Sequence, residues 1–275
     1  MRTRNKMEQC VLILLASIWA LVCLFPVWVL FSGTFSLDSS NITRTFFPNS
    51  LSNGIAKCKE ALLTIDIATA TVHTFIYTGI TVIGILITSS LAAYEFTFYQ
   101  FPLKKVFFGI MMASMMLPQV LYIIPLYRLV FSMNLSDTFA GVSLPMMVSA
   151  LSVFIMMQFL EDLPASFIES ARIDGAGHFQ IYGRIVLPLM RNGILTTVVL
   201  MFMKIWGQYL WPSLVTAQNI KPISVTVANL LNPNFWVDPR VKIAAMLIAM
   251  IPPLAIYLIF QRYVIEGITM SGVKG

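Results

Sequence analysis

The chain has 275 residues and only 30 charged side chains, whereas a soluble protein of this length would carry about 69. With 58% hydrophobic residues, such a surface is too poor in charge for water, which excludes a soluble enzyme and favours lipid as the solvent. The 20 Phe and 5 Trp argue against a disordered chain. We interpret the net charge of +6 as a topology signal at the ends of apolar runs, and we expect no nucleic-acid partner.

Six apolar runs are each long enough to cross the ~30 Å hydrocarbon layer as a helix of roughly 20 residues. Only the fifth run contains a charge, Lys204. The sequence therefore predicts an all-α membrane protein, a single domain over 1–275 with six transmembrane helices. The predicted spans are 10–32, 70–94, 106–127, 138–160, 192–214 and 243–261. The first follows Arg2, Arg4 and Lys6 as a signal peptide does, but its apolar core is too long for one, so we expect an uncleaved span.

Lys and Arg are more numerous on the side that holds the N-terminus, which predicts that this side is cytoplasmic. With six spans the C-terminus lies on the same side, so we expect a multi-pass protein of the cell membrane with both termini inside. The inner segments hold Arg2, Arg4, Lys6, Lys104, Lys105, Arg172, Arg184, Arg191, Arg262 and Lys274, and the outer ones hold Arg44, Lys57, Lys59, Arg128, Lys221, Arg240 and Lys242.

The sequence carries none of the common patterns of catalysis. No Gly-x4-Gly-Lys-Ser/Thr loop occurs, so this chain is not expected to bind or hydrolyse ATP, and we expect neither enzyme activity nor a bound cofactor. The only histidines, His73 and His178, have no second ligand at metal spacing, so no metal site is predicted. The three cysteines show no Cys-x-x-Cys spacing and are interpreted as structural.

Residues 161–191, between the fourth and fifth predicted spans, differ from a plain linker. Pro164 suits the first turn of a helix, and no breaker follows until Gly175, which can end a helix by taking a positive φ. A second short helix is predicted from about 177 to 185, with Pro188 ending it. Small and charged residues would then face outward: Ser170 and Ala171 for close approach, with Glu169, Arg172 and Asp174 for orientation. Spacing alone leaves two interpretations open, a solvated inner loop and a docking element for a cytoplasmic partner.

The same residues resemble a family. Permease subunits of binding-protein-dependent ABC importers carry a loop with Glu-Ala-Ala, three residues, Gly, nine residues, Ile, one residue and Leu-Pro. This chain reproduces every gap, with Ser in place of the first Ala. By this resemblance the loop docks on the ATPase subunits through Glu169, Ser170, Ala171, Asp174, Gly175, Ile185, Leu187 and Pro188.

The resemblance extends over roughly residues 70 to 275 and is strongest for the carbohydrate-uptake branch, close to the smaller maltose-transporter permease. The C-terminal segment with Gly267 and Lys274 is similar to the family's tail, which reaches between the ATPases. Departures occur at Phe98 and Leu103, where the family usually has a basic residue and a glycine, and at Lys204, where it has an uncharged residue.

What the resemblance implies is a type I ABC importer permease fold and a set of partners. These are a homologous second permease, two ATPase subunits that carry ATP and Mg, an extracytoplasmic solute-binding protein, and membrane lipid. The implied substrate is a sugar or sugar-like solute: a di- or oligosaccharide first, with a glycerol phosphate or a polyol as alternatives. This chain would form half of the pathway and pass ATPase movement through the 161–191 loop.

The substrate pathway is expected near the fifth span, where aromatic and polar residues cluster: Lys204, Trp206, Gln208, Tyr209 and Trp211. Aromatic faces with a few hydrogen-bonding groups suit sugars. The same aromatics also fit the belt at a membrane interface. Lys204 has three open roles: contact with the pathway, pairing with the partner permease, or extension toward an interface.

The alternative function from another class is a self-sufficient secondary transporter or channel. Such proteins often carry inverted repeats with helices broken at matching positions. We find no convincing repeat between 1–137 and 138–275, and only the importer hypothesis demands an ATPase partner.

Overall fold

The computed structural model describes residues 6–37, 46–161, 163–164, 166–234 and 236–272. Within these ranges all regular structure is helical. The α-helices are α1 (Lys6–Thr34), α2 (Leu51–Thr64), α3 (Ile67–Phe98), α4 (Lys104–Ser114), α5 (Ile123–Ser132), α6 (Phe139–Ser143), α7 (Ala150–Glu161), α8 (Ser166–Ile173), α9 (His178–Ile181), α10 (Leu187–Leu189), α11 (Arg191–Trp206), α12 (Leu210–Val215), α13 (Ile223–Asn229) and α14 (Pro239–Gly272). Short 3₁₀ turns cover Gln119–Leu121 and Leu144–Met146, and a π turn covers Tyr182–Val186.

Three of these helices are long and apolar enough to cross a membrane: Met7–Thr34, Ile67–Phe98 and Pro239–Tyr263. They contain the predicted spans 10–32, 70–94 and 243–261. Two pairs of helices with a sharp bend between them meet the same criteria together: Phe139–Met146 with Ala150–Glu161, bent by 51°, and His178–Leu189 with Arg191–Trp206, bent by 73°.

The other three predicted spans are not single helices. The 106–127 run is divided into α4 and α5 by a stretch that contains Pro118, which follows the last turn of α4 and cannot donate a backbone hydrogen bond. The 138–160 run bends beside Pro145, and the 192–214 run stops at Gly207 before α12 begins. The prediction of one continuous helix in each of these three runs was wrong, because mean hydropathy does not detect the residues that interrupt a helix.

The chain divides into two compact units, and the first comprises 1–69 and 226–251. Within it, the predicted outer loop 33–68 contains the helix α2. Ser50 caps its start by accepting a hydrogen bond from the Asn53 N–H at 3.3 Å. The side of α2 around Gly54 packs so closely on the Phe35 ring that a Cβ there would lie 2.0 Å from it.

Charged groups tie α2 to the start of α14. Asp238 lies 2.7 Å from the Arg240 guanidinium and 3.0 Å from the Lys57 amine, and Lys57 also contacts Glu60 at 2.8 Å. The hydrogen bond from Arg240, against the opposing effect of desolvation, holds the pKa of the Asp238 carboxyl well below its usual value. Arg240 also donates to the Leu37 carbonyl at 2.8 Å, so the Asp238–Arg240 pair together connects three segments of this unit: α2, the start of α14 and the residues that follow α1.

The second unit comprises 70–225 and 252–275 and has two apolar clusters. One lies between the end of α3, α7 and the 166–190 helices, with Met156, Leu160, Ile181 and Val186 fully buried. The other surrounds Trp211, whose indole N–H donates to the Val142 carbonyl at 3.1 Å.

A single carboxylate organises the loop that follows α12. Asp137 accepts hydrogen bonds from four consecutive backbone N–H groups, those of residues 217 to 220, at 2.8, 2.9, 2.8 and 3.0 Å. Desolvation raises the pKa of this carboxyl, but the four donors together outweigh it and lower the pKa to about 2. The loop is therefore fixed by charge-assisted hydrogen bonds to a residue about 80 positions earlier in the chain.

We expect Asp137→Asn to loosen this loop. An amide replaces one accepting oxygen by an NH₂ group that faces backbone donors, so about two of the four bonds are lost. The purified protein in detergent should show a lower unfolding temperature and faster backbone hydrogen exchange in 216–221. Because the folded-state pKa lies below the unfolded value of about 3.9, the Asp137 contribution is complete above about pH 4 and is lost as the pH falls through 2. Unchanged exchange in this loop at pH 7 would contradict the assignment.

Candidate functional site

The 161–191 loop forms two short helical stretches hinged at a glycine, as its breakers predicted. The helix α8 ends at Ile173, and Gly175 takes φ +79°, in the left-handed region that favours glycine because it has no Cβ. The Gly175 N–H bonds to the Arg172 carbonyl at 3.0 Å and the Ala176 N–H to the Ala171 carbonyl at 2.9 Å, which closes the end of the helix. The second stretch runs through α9, the π turn and α10.

The predicted end of the second stretch at Pro188 was wrong. Helical structure continues through Pro188 to Leu189. Pro188 lies directly after the π turn Tyr182–Val186. The π turn is wider than an α-helical turn, so the helix tolerates the lack of the backbone hydrogen bond that Pro188 cannot donate. The chain therefore bends only at Met190.

One face of α8 is buried and the other is exposed. Ile168 and Ala171, three residues apart, lie against the chain's own apolar cluster, so Ala171 is not free for close approach to a partner, contrary to our expectation. Glu169, Ser170 and Asp174 are exposed on the other side. Of the remaining predicted loop residues, Ile185 and Leu187 are half-buried against the cluster, whereas Gly175 and Pro188 are exposed.

The exposed side of this loop also carries large apolar side chains that the sequence analysis did not single out. Ile173 and Phe179 are each 85% exposed, and Phe167 is 53% exposed. Between Phe179 and the π turn, Ile181 is the side chain that is buried against the apolar cluster. The sequence does carry a signal for this exposed apolar surface: Ile173 and Phe179 are large apolar residues on either side of the Gly175 hinge, next to charged residues.

Aromatic contacts fix the loop to the end of α3. The Tyr99 ring lies between two loop residues: the Arg172 guanidinium is 4.6 Å from its centroid, and His178 stacks on it at 4.8 Å. The Tyr94 and Tyr99 hydroxyls are 2.5 Å apart, and the Tyr182 hydroxyl is 2.7 Å from the Ser90 hydroxyl. Arg172 and His178 therefore make their contacts within this chain. Because both hold the Tyr99 ring, a displacement of the loop would be transmitted to α3.

Only three of the five predicted pathway residues lie at a cavity in the structure. Lys204, Gln208 and Trp211 line one cavity of ≈ 530 Å³, together with residues of α4, α5, α7 and the breaks between helices. Trp206 and Tyr209 do not line it: Trp206 is buried and stacked on Phe202 at 5.4 Å. Trp211 is fully buried with its N–H already bonded, so it forms a wall and offers no stacking face.

Four polar residues of this cavity were missed by the sequence analysis: Ser114, Gln119, Tyr122 and Ser149. Gln119 accepts a hydrogen bond from the Gln208 amide at 2.9 Å, and Tyr122 and Ser149 also contribute to the lining. Gln119 and Tyr122 follow the break at Pro118, and Ser149 precedes α7. The breaks that divide the predicted spans therefore supply most of the cavity's polar groups.

A second cavity, of ≈ 630 Å³, lies at the ends of α3, α4 and α7. Its lining includes Lys104, Lys105 and Glu161, and none of the predicted site residues. Within the described residues, no group of three or more His, Cys, Asp or Glu side chains is placed to hold a metal ion. In the tail, Gly267 lies in α14, and Lys274 falls outside the described residues.

Comparison with known proteins agrees with this geometry. Residues 81–270 match the model of the family described as binding-protein-dependent transport system inner membrane component. The sn-glycerol-3-phosphate transport system permease protein UgpE of Rhizobium meliloti is 31% identical over 93% of this chain and 94% of its own length. The corresponding protein of Yersinia enterocolitica is 33% identical over 72% of both chains, and that of Agrobacterium fabrum is 32% identical over 90% of this chain and 91% of its own.

Among solved structures, a chain of a bacterial ABC transporter involved in the import of the acidic polysaccharide alginate superposes with a TM-score of 0.82. The match covers 96% of this chain and 99% of the other at 23% identity, which establishes the fold. The all-α permease fold expected from the sequence is confirmed. The chain belongs to the family of inner membrane components of binding-protein-dependent transport systems.

Proposed function

We propose that this chain supplies half of the translocation pathway of an ATP-driven importer for a sugar or sugar-like solute, such as the sn-glycerol 3-phosphate for which its relatives are named. The observation that supports this most directly is the 161–191 loop: an exposed surface of apolar and acidic side chains whose other face is fixed to α3. No finding supports the alternative of a self-sufficient transporter or channel.

In this proposal the loop lies on the cytoplasmic side, with both termini, and docks on one of two ATPase subunits. The ATPases carry ATP and Mg, and this chain hydrolyses nothing itself. Ile173 and Phe179 enter an apolar depression of the ATPase, while Glu169 and Asp174 pair with basic groups at its rim. A tail that includes Gly267 and Lys274 reaches toward the ATPases.

Coupling follows from how the loop is held. Since Tyr99 is clamped between Arg172 and His178, closure of the ATPases moves the loop and α3 together. A homologous second permease moves in the same way, and the pathway changes between inward-facing and outward-facing states. An extracytoplasmic binding protein delivers the solute to the outward-facing state.

The first prediction uses two glycines of the hinge. A Cβ at Gly175 or Gly177 meets nothing within 4 Å, but only Gly175 has a positive φ. Valine at 175 is therefore strained by more than about 1–2 kcal/mol, because a β-branched residue resists the left-handed region, whereas valine at 177 is tolerated. We expect Gly175→Val to abolish uptake and binding-protein-stimulated ATP hydrolysis in reconstituted complexes, with both permeases still inserted.

The control is Gly177→Val, which should transport at close to the wild-type rate. Equal activity of the two variants would show that the geometry at Gly175 is not required for docking.

The second prediction concerns the exposed apolar surface. Phe179→Ala removes a ring that is 85% exposed, so it should leave folding unchanged while it weakens association with the ATPase. We expect less ATPase to co-purify with the tagged permease in detergent, and a lower rate of coupled ATP hydrolysis.

Phe131→Ala is the matched control, since Phe131 is 62% exposed on α5, away from the loop and the cavity. If both alanine variants retain the ATPase equally well, the surface around Phe179 is not the docking site.

A further inference from the structure

The cavity of ≈ 530 Å³ has one charged group in its lining, Lys204. This residue lies in the last turn of α11, and its amine makes no hydrogen bond or ion pair with any residue that the structure describes. Every other lining side chain is neutral, and no carboxylate faces the amine from α4, α5, α7 or α12. The cavity therefore has an uncompensated positive charge.

The position of Lys204 makes that charge costly. Arg191 begins the same helix, and thirteen residues of α-helix place Lys204 about 20 Å further along its axis. The hydrocarbon layer is ~30 Å thick, so Lys204 lies deep within it when measured from the end of the helix at Arg191. An ionised side chain at such a depth costs several kcal/mol unless water or a counter-charge accompanies it, and such residues commonly mark a substrate pathway.

The surroundings of Lys204 suit one kind of counter-charge. Gln119 and Gln208 are paired at 2.9 Å, which leaves amide N–H groups of the pair available for further bonds. Tyr122 is 46% exposed, and its hydroxyl adds a group that donates or accepts. One cation beside neutral amides and hydroxyls matches an oxyanion that is attached to a short polyol or a sugar ring. The volume lies within the ~300–1,000 Å³ typical of small-molecule sites.

We propose that Lys204 binds the anionic group, a phosphate ester or a carboxylate, of the transported sugar-like solute, and that Gln119 and Gln208 bind its hydroxyls. This rests on the proposed function and adds a substrate class to it: the importer carries an acidic solute rather than a neutral sugar. The binding protein makes the first selection, and Lys204 makes a second one inside the membrane.

The test uses the complete importer, with its partner permease, ATPases and binding protein, in proteoliposomes. ATP-dependent uptake is measured for sn-glycerol 3-phosphate, galacturonate and maltose as phosphate, carboxylate and neutral probes. The wild type should import one of the two acidic probes. Lys204→Met should raise the KM for that probe about tenfold or more, since it removes a charge-assisted bond. Lys204→Arg, which keeps the charge, should stay within about threefold of wild type.

The matched control is Lys59→Met, which removes the same charge from an exposed site on α2 outside the cavity. Wild-type kinetics for an acidic probe in Lys204→Met, or import of maltose alone by the wild type, would overturn the proposal while leaving the importer function intact. Loss of the partner permease on purification of Lys204→Met would also overturn it, because Lys204 would then be a subunit contact. The proposed function fails as well if the wild type imports none of the three probes and the binding protein, loaded with any of them, does not stimulate ATP hydrolysis.

Discussion

The packing of the 161–191 loop against α3 and α7 is the constraint on which the functional account depends. Ile168, Ala171, Ile181 and Val186 give the loop a buried face, so two short helices that would be unstable alone keep a defined shape. The Tyr99 stack then ties that shape to the end of α3. Only because the inner face is fixed can the outer face present Ile173 and Phe179 as a rigid surface to a partner.

The second feature of the account is the use of interrupted helices. A continuous helix satisfies its backbone within the membrane but presents few polar groups to a pathway. Here the break after α4, the bend before α7 and the gap between α11 and α12 place Gln119, Ser149 and Gln208 around one cavity. Asp137 fixes the loop that follows α12, so the irregular backbone after this helix is held by four hydrogen bonds. An acidic solute at Lys204, a phosphate ester or a carboxylate, would take the place of the neutral oligosaccharide that the family resemblance put first.

Much of the fold could be predicted from the sequence because it depends on local signals. The long apolar runs predicted α1, α3 and α14, and Gly175 was correctly expected to take a positive φ. The interrupted runs were misjudged because hydropathy averages over Pro118, Pro145 and Gly207. We expected Ala171 on the exposed face because we treated the whole motif as a docking surface. Its three-residue spacing from Ile168 instead places both residues on one helix face, which is buried. Gln119 and Tyr122 lie on one segment and Ser149 on another, and only tertiary packing brings both segments to the cavity that Lys204 lines.

The central claim is that the exposed face of the 161–191 loop is in contact with an ATPase subunit in the assembled importer. A photo-crosslinking amino acid at position 179, activated in native membranes, tests this most directly, with position 131 as the exposed site away from the loop. The account predicts a covalent adduct between this chain and an ATP-binding subunit at position 179 and none at 131. Adducts with lipid alone at position 179, in membranes that actively import the solute, would contradict it.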